Sequence, residues 1–314
     1  MLSYTQAIVI GLLQGVTELF PVSSLGHSVL VPAWLGGSWK QLVTEQSSGE
    51  SPYLAFIVGL HVATALALLV YFRSDWVRIL RGLARSITSR RIDPADTDAR
   101  LGWLLVLGTI PVGLVGLVFE HSLRTLFAKP LAAAVFLTLN GAVLLLGERL
   151  RNRAQVHPRQ PVSAARSADA QAPADADTMR QPRGEPLAAL SVVNAVGIGS
   201  FQIAALFAGI SRSGVTMVGG LLRGLSHEDA ARFSFLLATP IILAAGVYKL
   251  PDLLGPNGTG IRGQVLVGSI VAGLAAYASV RFLSRYFATR TLRPFAVYCL
   301  VAGAISMVWF GIVA

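Results

Sequence analysis

The chain carries unusually little charge for its length. Only 13% of its 314 residues are Asp, Glu, Lys or Arg, whereas soluble domains carry about 25%. So few charges cannot build a solvated surface, which argues against a soluble enzyme. Cysteine is nearly absent: Cys299 stands alone, which excludes an internal disulfide framework and a thiolate metal cage. The apolar content of 54% excludes disorder over most of the length.

Acidic residues are the scarcer of the charged types, and the formal net charge is +10. Of the 26 cationic residues, 23 are arginine, and they are grouped between apolar runs rather than interleaved with exposed aromatic residues. This distribution is typical of membrane topology and not of a nucleic-acid surface. We therefore expect the protein to contact membrane lipids and not nucleic acid.

Eight apolar runs are long enough, or nearly long enough, to cross a bilayer core, which takes about 20 helical residues. They are 4–35, 53–72, 101–119, 131–147, 188–222, 230–248, 263–282 and 294–314. The first and fifth runs are long but interrupted by Pro, Gly and Ser at 21–26 and 209–214, and such clusters stop helices. Because each half is too short to span alone, the sequence predicts an all-α membrane protein with six transmembrane helices and two re-entrant helix–turn–helix units.

The arginines predict the orientation. Seven lie in 73–100, seven in 149–186 and four in 281–293, so the positive-inside rule places these three connections in the cytoplasm. Six spans then alternate without conflict, and both chain ends lie outside. The first re-entrant unit enters from outside and the second from the cytoplasm.

An internal repeat is visible in the two interrupted runs. At an offset of 188 residues, Gln14 falls on Gln202 and Ser23 on Ser211, and each interrupted run is followed by three spans. Three spans per half force opposite orientations, so we interpret the chain as an inverted-topology repeat. The repeat comprises 1–149 and 188–314, joined by a predicted disordered cytoplasmic linker at 150–187 that is rich in Ala, Arg, Pro and Asp. The alternative is chance similarity among helices rich in Gly, Ala and Leu.

Four titratable side chains lie deep inside the apolar runs: Glu18, His27, His61 and Arg212. A charge at the centre of a bilayer costs about 2.5–3.5 kcal/mol on insertion scales, so Glu18 and Arg212 need partners or a wet cavity. The repeat brings their loops together near the midplane, which favours an anionic or metal-bound ligand between them. His61, alone on an apolar face, is interpreted as a hydrogen-bonded core histidine.

The first interrupted run carries two pairs of reactive groups. Gln14 and Glu18 share one helix face, where their oxygens could bind Mg²⁺ or Ca²⁺. A neutral amide binds a cation more weakly than a carboxylate, so Gln14 is the weaker candidate ligand. Ser24 and His27 are one turn apart, and an imidazole at that spacing can take a proton from a hydroxyl. Ser23 could cap the helix that follows, or it could serve only close packing.

The second interrupted run resembles a phosphate pocket. Gly209 allows close backbone approach, and Arg212 supplies a planar fork that matches phosphate. Hydroxyl groups surround the arginine at Ser211, Ser213 and Thr216. Polar groups beside a fixed cation favour an anionic ligand.

These motifs resemble those of a known family. The stretch QGVTELFPVSSLGH at 14–27 is similar to the first motif of the integral-membrane undecaprenyl pyrophosphate phosphatases of the bacitracin-resistance type. GISRSGVT at 209–216 resembles their second motif, and ARFSFLLATP at 231–240 the stretch that follows it. The resemblance covers the chain except 150–187. One departure is Ala208, where the family usually has proline.

The resemblance implies specific roles. Glu18 corresponds to the essential carboxylate, Ser24 and His27 to the catalytic serine and histidine, and Arg212 to the pyrophosphate-binding arginine; Gln14 stands where many members have glutamate. The implied reaction is hydrolysis of undecaprenyl diphosphate to the monophosphate and inorganic phosphate, with a divalent cation. It recycles the lipid carrier for cell-wall synthesis in the bacterial inner membrane and confers bacitracin resistance. The predicted topology indicates that the site opens to the extracytoplasmic side, because the first re-entrant unit, which carries Ser24, enters from there.

Several points stay open at the level of sequence. The nucleophile could be Ser24, with His27 as base, or His27 itself, or a water molecule. A secondary transporter or lipid flippase would also use inverted repeats and broken helices, but it would not need Ser24 and His27 beside a carboxylate. The sequence also leaves the oligomeric state open, and a homodimer is one alternative.

Overall fold

The computed structural model describes residues 2–47, 52–127, 129–156, 185–249, 251, 255 and 259–313. Over these residues the chain is helical, and no strand is formed. The helices are α1 Tyr4–Thr17, α2 Ser24–Leu35, α3 Gly37–Ser47, α4 Pro52–Tyr71, α5 Arg73–Ser89, α6 Thr97–Phe127, α7 Pro130–Val156, α8 Glu185–Ala188, α9 Val192–Ser200, a 3₁₀ helix Phe201–Leu206, α10 Arg212–Leu221, α11 His227–Tyr248, α12 Arg262–Tyr286 and α13 Arg293–Val313.

Six of these helices are long and apolar enough to cross a membrane: α4, α6, α7, α11, α12 and α13. Each holds an uninterrupted apolar stretch of about the length that a bilayer core requires. The prediction of six spans is therefore confirmed, and the protein is a multi-pass, all-helical membrane protein.

The two interrupted runs form short helices, as their Pro, Gly and Ser clusters predict. The first gives α1 of 14 residues and α2 of 12 residues, with a break at 18–23. The second gives α9, the 3₁₀ helix and α10, which have nine, six and ten residues. None of these pieces reaches the length of a span.

The packing of the helices brings both breaks into the interior. The helix α1 packs on α12, which also packs on α4, while α9 packs on α6 and α10 packs on α11. The spans α7 and α13 pack against each other. The breaks are therefore enclosed by spans, which is where irregular backbone can be tolerated in a membrane protein.

The connection at 73–100, expected only to be rich in arginine, contains the helix α5. Ile79, Gly82 and Ser86 recur with helical spacing on its buried face, while its arginines face outward. Asp96 joins α5 to α6: it accepts hydrogen bonds from the N–H of Ala99 at 3.0 Å and from Arg85. These two donors hold the pKa of the Asp96 carboxyl below its usual value.

The predicted linker at 150–187 lies mostly outside the described residues. Its ends differ from the expected bounds, because α7 continues to Val156 and α8 begins at Glu185. Arginine, leucine and glutamine have high helix propensity, which allows the transmembrane helix α7 to extend beyond its apolar stretch.

Candidate active site

A cavity of about 610 Å³ lies between the two interrupted runs and the spans α4, α6 and α11. One part of its wall is polar and contains Glu18, Ser24, Ser211 and Arg212. The rest is largely apolar, with contributions from 112–117 of α6 and 241–248 of α11. A cavity of this kind can hold a ligand that has a charged head and an apolar body.

Glu18 is the centre of the polar wall. Its Oε1 accepts a hydrogen bond from the Arg212 guanidinium, and its Oε2 accepts from the Ser24 hydroxyl and from Gln14 Nε2, the last at 2.9 Å. The His61 Nε2 lies 3.4 Å from the same Oε2. The carboxylate is 3% exposed, and these partners compensate for its burial.

Arg212 reaches Glu18 from the first residue of α10. Ser211 caps this helix by accepting a hydrogen bond from Gly214 N–H at 3.2 Å, and the Ser211 N–H donates to Asn140 Oδ1 at 3.0 Å. The same Asn140 donates to the carbonyl of Pro21 at 3.0 Å. One side chain of α7 thus ties the second break to the first and fixes where Arg212 stands.

Ser24 is placed by the N-terminus of α2. The preceding residue, Ser23, has a positive φ of 72°, a conformation that is uncommon for a residue other than glycine. Its Oγ accepts hydrogen bonds from the N–H groups of Gly26 and Gly209, each at 3.2 Å. Ser23 therefore both caps α2 and joins the two breaks.

Two glycines allow the breaks to approach this closely. A Cβ at Gly26 would lie 2.9 Å from Gly209 Cα, closer than carbon atoms can pack. Gly209 also has a φ of 113°, which favours glycine. The sequence-based reading of Gly209 as a site of close backbone approach agrees with this geometry.

His27 lies one turn beyond Ser24, but the two side chains have different partners. The His27 Nδ1 is 2.7 Å from the Ser23 carbonyl, and Nε2 is 2.7 Å from the Tyr298 hydroxyl. Because a carbonyl only accepts, Nδ1 carries a proton, and in the neutral ring Nε2 accepts from Tyr298. The rings of His27 and Tyr298 stack, with centroids 5.7 Å apart.

The remaining predicted residues are divided between the cavity and the surrounding structure. Ser23 and Ser211 line the cavity. Ser213 Oγ donates to the Phe20 carbonyl at 3.3 Å, and Thr216 Oγ1 donates to the Arg212 carbonyl at 2.7 Å. Ser213 therefore holds the backbone of the first break, whereas Thr216 bonds within α10.

A divalent cation would find oxygen donors at one point. Within the described part of the chain, no three His, Cys, Asp or Glu residues gather in a metal-binding cluster. Gln14 Oε1, however, is a buried oxygen without a hydrogen-bond partner among the described residues, on the amide that bonds Glu18. Carboxylate and amide oxygens are ligands suited to Mg²⁺ or Ca²⁺.

His61 and Gln202 are among the residues of the cavity wall that were not predicted to belong to the site. His61 has the expected core hydrogen bond, from Nδ1 to the Ile57 carbonyl at 2.9 Å, yet its other nitrogen faces Glu18. Gln202 also lines the cavity. A lone histidine in an apolar helix gives no sign of its neighbours, whereas the match of Gln202 to Gln14 in the repeat was a usable signal.

The family model of the bacitracin resistance protein BacA matches residues 7–305. The chain belongs to this family. Among curated relatives, an undecaprenyl-diphosphatase of Mycolicibacterium paratuberculosis is 60% identical, over 99% of this chain and 98% of the relative. Undecaprenyl-diphosphatase 2 of Frankia alni is 58% identical over 99% of both chains, and that of Chromobacterium violaceum is 42% identical over 97% and 98%. The resemblance seen in the motifs at 14–27 and 209–216 is thereby confirmed, and the BacA match spans both motifs.

Proposed function

We propose that this protein hydrolyses undecaprenyl diphosphate to undecaprenyl phosphate and inorganic phosphate. The observation that carries the proposal is the contact of the Ser24 hydroxyl and the Arg212 guanidinium with opposite oxygens of Glu18, in a cavity whose other walls are apolar. Membership of the BacA family and the full-length similarity to undecaprenyl-diphosphatases support the same substrate. The activity would recycle the lipid carrier for cell-wall synthesis, and it would oppose bacitracin.

The polar wall suits a diphosphate. A guanidinium offers five N–H donors in a fixed fork, and the Arg212 side chain is 23% exposed, so donors remain for phosphate oxygens after the bond to Glu18. The N-termini of α2 and α10 both begin at this wall, and their backbone N–H groups favour anions. The apolar walls from α6 and α11 suit the prenyl chain.

We propose Ser24 as the nucleophile and Glu18 as the base, and the hydrogen bond from Ser24 to Glu18 supports this assignment. In this mechanism the Ser24 proton moves to Glu18 Oε2 as Oγ attacks the terminal phosphorus. The bridging P–O bond breaks, and undecaprenyl phosphate leaves. Water then cleaves the phosphoserine ester, releasing inorganic phosphate and restoring the hydroxyl. Arg212 neutralises the charge that develops on the phosphoryl oxygens.

His27 has two alternative roles. As a base or nucleophile, it would have to exchange its hydrogen bond to Tyr298 for one to Ser24 or to the substrate. In the geometry described above, it instead acts as a positioning residue, because its bond to the Ser23 carbonyl holds the turn that presents Ser24.

We further propose a divalent cation, Mg²⁺ or Ca²⁺, bound by Glu18 with Gln14 as a second oxygen ligand. The unpartnered Gln14 Oε1 supports this assignment. When bound, the cation would supply additional neutralisation of the diphosphate charge.

The architecture is proposed to be an inverted-topology repeat with two re-entrant units. Reciprocal packing supports it: α1 of the first half packs on α12, the second span of the later half, and α9 of the later half packs on α6, the second span of the first half. The third spans, α7 and α13, also form a pair. A pseudo-two-fold relation between the halves would produce this pattern, in which the first helix of each half packs on the second span of the other.

The site is proposed to open to the extracytoplasmic side of the bacterial inner membrane. The wall that α11 contributes lies toward the C-terminal end of that helix, at 241–248, next to the cation-poor connection 249–262. The arginine-rich segments lie at the opposite ends of the spans, where the positive-inside rule places the cytoplasm.

Release of inorganic phosphate from C55 diphosphate by the protein purified in detergent tests the function. We expect turnover by the wild type and almost none by Ser24→Ala, whose fold should be unchanged. A transporter or flippase would bind the lipid without releasing phosphate, and that result would overturn the proposal. An impermeant thiol reagent tests the orientation: in a Cys299→Ser background, Ser24→Cys should be labelled from outside, with protection by the diphosphate.

A further inference from the structure

Gln202 presents a buried amide that the described part of the chain leaves without a hydrogen bond. The residue is 1% exposed, and neither Nε2 nor Oε1 has a hydrogen-bond partner among the described residues. Buried polar groups in native proteins are nearly always paired, and an unpaired one calls for an explanation. Two such atoms on one side chain call for a partner other than the described residues.

The position of Gln202 indicates what that partner is. The residue lies on the 3₁₀ helix Phe201–Leu206, in the wall of the cavity that also contains Glu18, Ser24 and Arg212. A ligand that enters this cavity to reach Arg212 is therefore adjacent to the same wall. The neighbouring wall residues Ala205, Leu206 and Ile210 offer the amide no hydrogen bond from their side chains.

Comparison with Gln14 supports an anionic partner. Gln14 matches Gln202 at the offset of 188 residues, and its Nε2 donates to the carboxylate of Glu18, four residues further along the helix. Four residues beyond Gln202 stands Leu206, so the second amide lacks the acceptor that the first one has. A phosphate oxygen in the cavity would take the place of that carboxylate.

We propose that Gln202 binds the diphosphate group of the substrate, with Nε2 donating to a phosphate oxygen. This inference rests on the proposed function of the site. Gln202 then belongs to the residues that bind the substrate. It contacts the anion from the second interrupted run, whereas Glu18 lies in the first, and it takes no part in proton transfer.

The test compares Gln202→Leu with the control Gln264→Leu. Gln264 lies on α12 and donates to the Leu2 carbonyl at 3.1 Å, so its amide has a structural partner. Gln202→Leu should raise KM for C55 diphosphate about tenfold, the effect of losing one charge-assisted hydrogen bond, with a smaller change in kcat. Its Tm should be equal to or above that of the wild type, because no bond is lost in the free protein. Gln264→Leu should lower Tm and leave KM unchanged.

Thermal protection by inorganic pyrophosphate provides a second measurement that does not depend on turnover. The wild type and Gln264→Leu should be stabilised, whereas Gln202→Leu and the charge-repelling Gln202→Glu should not be. A lowered Tm with normal KM and normal protection would assign Gln202 a structural role and overturn the inference. Absence of hydrolysis by the wild type would instead overturn the proposed function, while the protection assay would still report whether Gln202 binds the anion.

Discussion

Glu18 and Arg212, 194 residues apart in the chain, form an ion pair in the wall of the central cavity. The two partners differ in exposure: the carboxylate is 3% exposed and the guanidinium 23%. The Glu18 carboxylate is therefore enclosed by the protein, whereas the Arg212 guanidinium is partly available to a ligand. The pair satisfies both charges in the free protein and leaves donors of Arg212 for the substrate.

Replacement of Arg212 by lysine should lower kcat/KM although the charge is kept. An ammonium group cannot donate to Glu18 and to two phosphate oxygens with the fixed fork of a guanidinium. We expect a loss of roughly 10- to 100-fold, corresponding to one charge-assisted hydrogen bond, and almost complete loss in Arg212→Ala. Steady-state phosphate release measures both. Arg85→Lys, on the exposed face of α5, is the matched control and should retain the wild-type rate. If Arg212→Ala is active, Arg212 has no role in the mechanism.

Replacement of Glu18 by glutamine should remove the acceptor for the Ser24 proton. General-base catalysis contributes about 10²- to 10⁴-fold, so a loss of that order is expected in kcat. The double variant Glu18→Gln with Ser24→Ala should be scarcely slower than either single variant, because residues that act in one step are not additive. If the two losses multiply, Glu18 and Ser24 act in separate steps.

His61 should contribute through its contact with Glu18. His61→Leu removes the nitrogen that lies 3.4 Å from the carboxylate, and we expect about a tenfold loss in kcat/KM. His61→Gln can still donate toward Glu18 and should lose less. Equal losses in the two variants, accompanied by a lowered Tm, would indicate that His61 serves packing alone.

Gly26 should not tolerate a side chain. In Gly26→Ala the new Cβ would press on Gly209 Cα at 2.9 Å, and overpacking of this kind costs about 1–3 kcal/mol. Both Tm and activity should fall, because the contact joins the two breaks. Gly311→Ala is the control, since its Cβ would meet no atom within 4 Å. Thermal unfolding in detergent and phosphate release distinguish the two variants.

Removal of divalent cations should lower both activity and stability. A chelator would be expected to reduce phosphate release and lower Tm, and added Mg²⁺ or Ca²⁺ should restore both, since a ligand that binds the folded state stabilises it. Glu18→Gln should show no Tm response to the cation. If neither the Tm nor the rate of the wild type changes on addition of chelator or cation, the proposed cation site is contradicted.

The sequence predicts some parts of this site better than others. Pro21 and Gly209 stop helices whatever surrounds them, so the breaks are visible in the sequence. Glu18 and Arg212 are visible as well, because the cost of isolated charges in a membrane requires a partner. The contact of His61 with Glu18 depends on which face α4 turns toward α1. Because α4 is apolar on all sides, its sequence does not predict that orientation. The same holds for Ser24, whose short distance to Glu18 rather than to His27 is set by the unusual φ of Ser23.

The ion pair across the two halves also has a consequence for biogenesis. When the ribosome has made only residues 1–149, the described side chains of that part which contact Glu18 are the uncharged Gln14 and Ser24 together with His61. Its guanidinium partner arrives only when α10 has been synthesised. A first half produced alone would thus hold a carboxylate that lacks its counter-ion, and its insertion would depend on co-expression of the second half. The ion pair of the site therefore forms only after synthesis has passed Leu221, the end of α10.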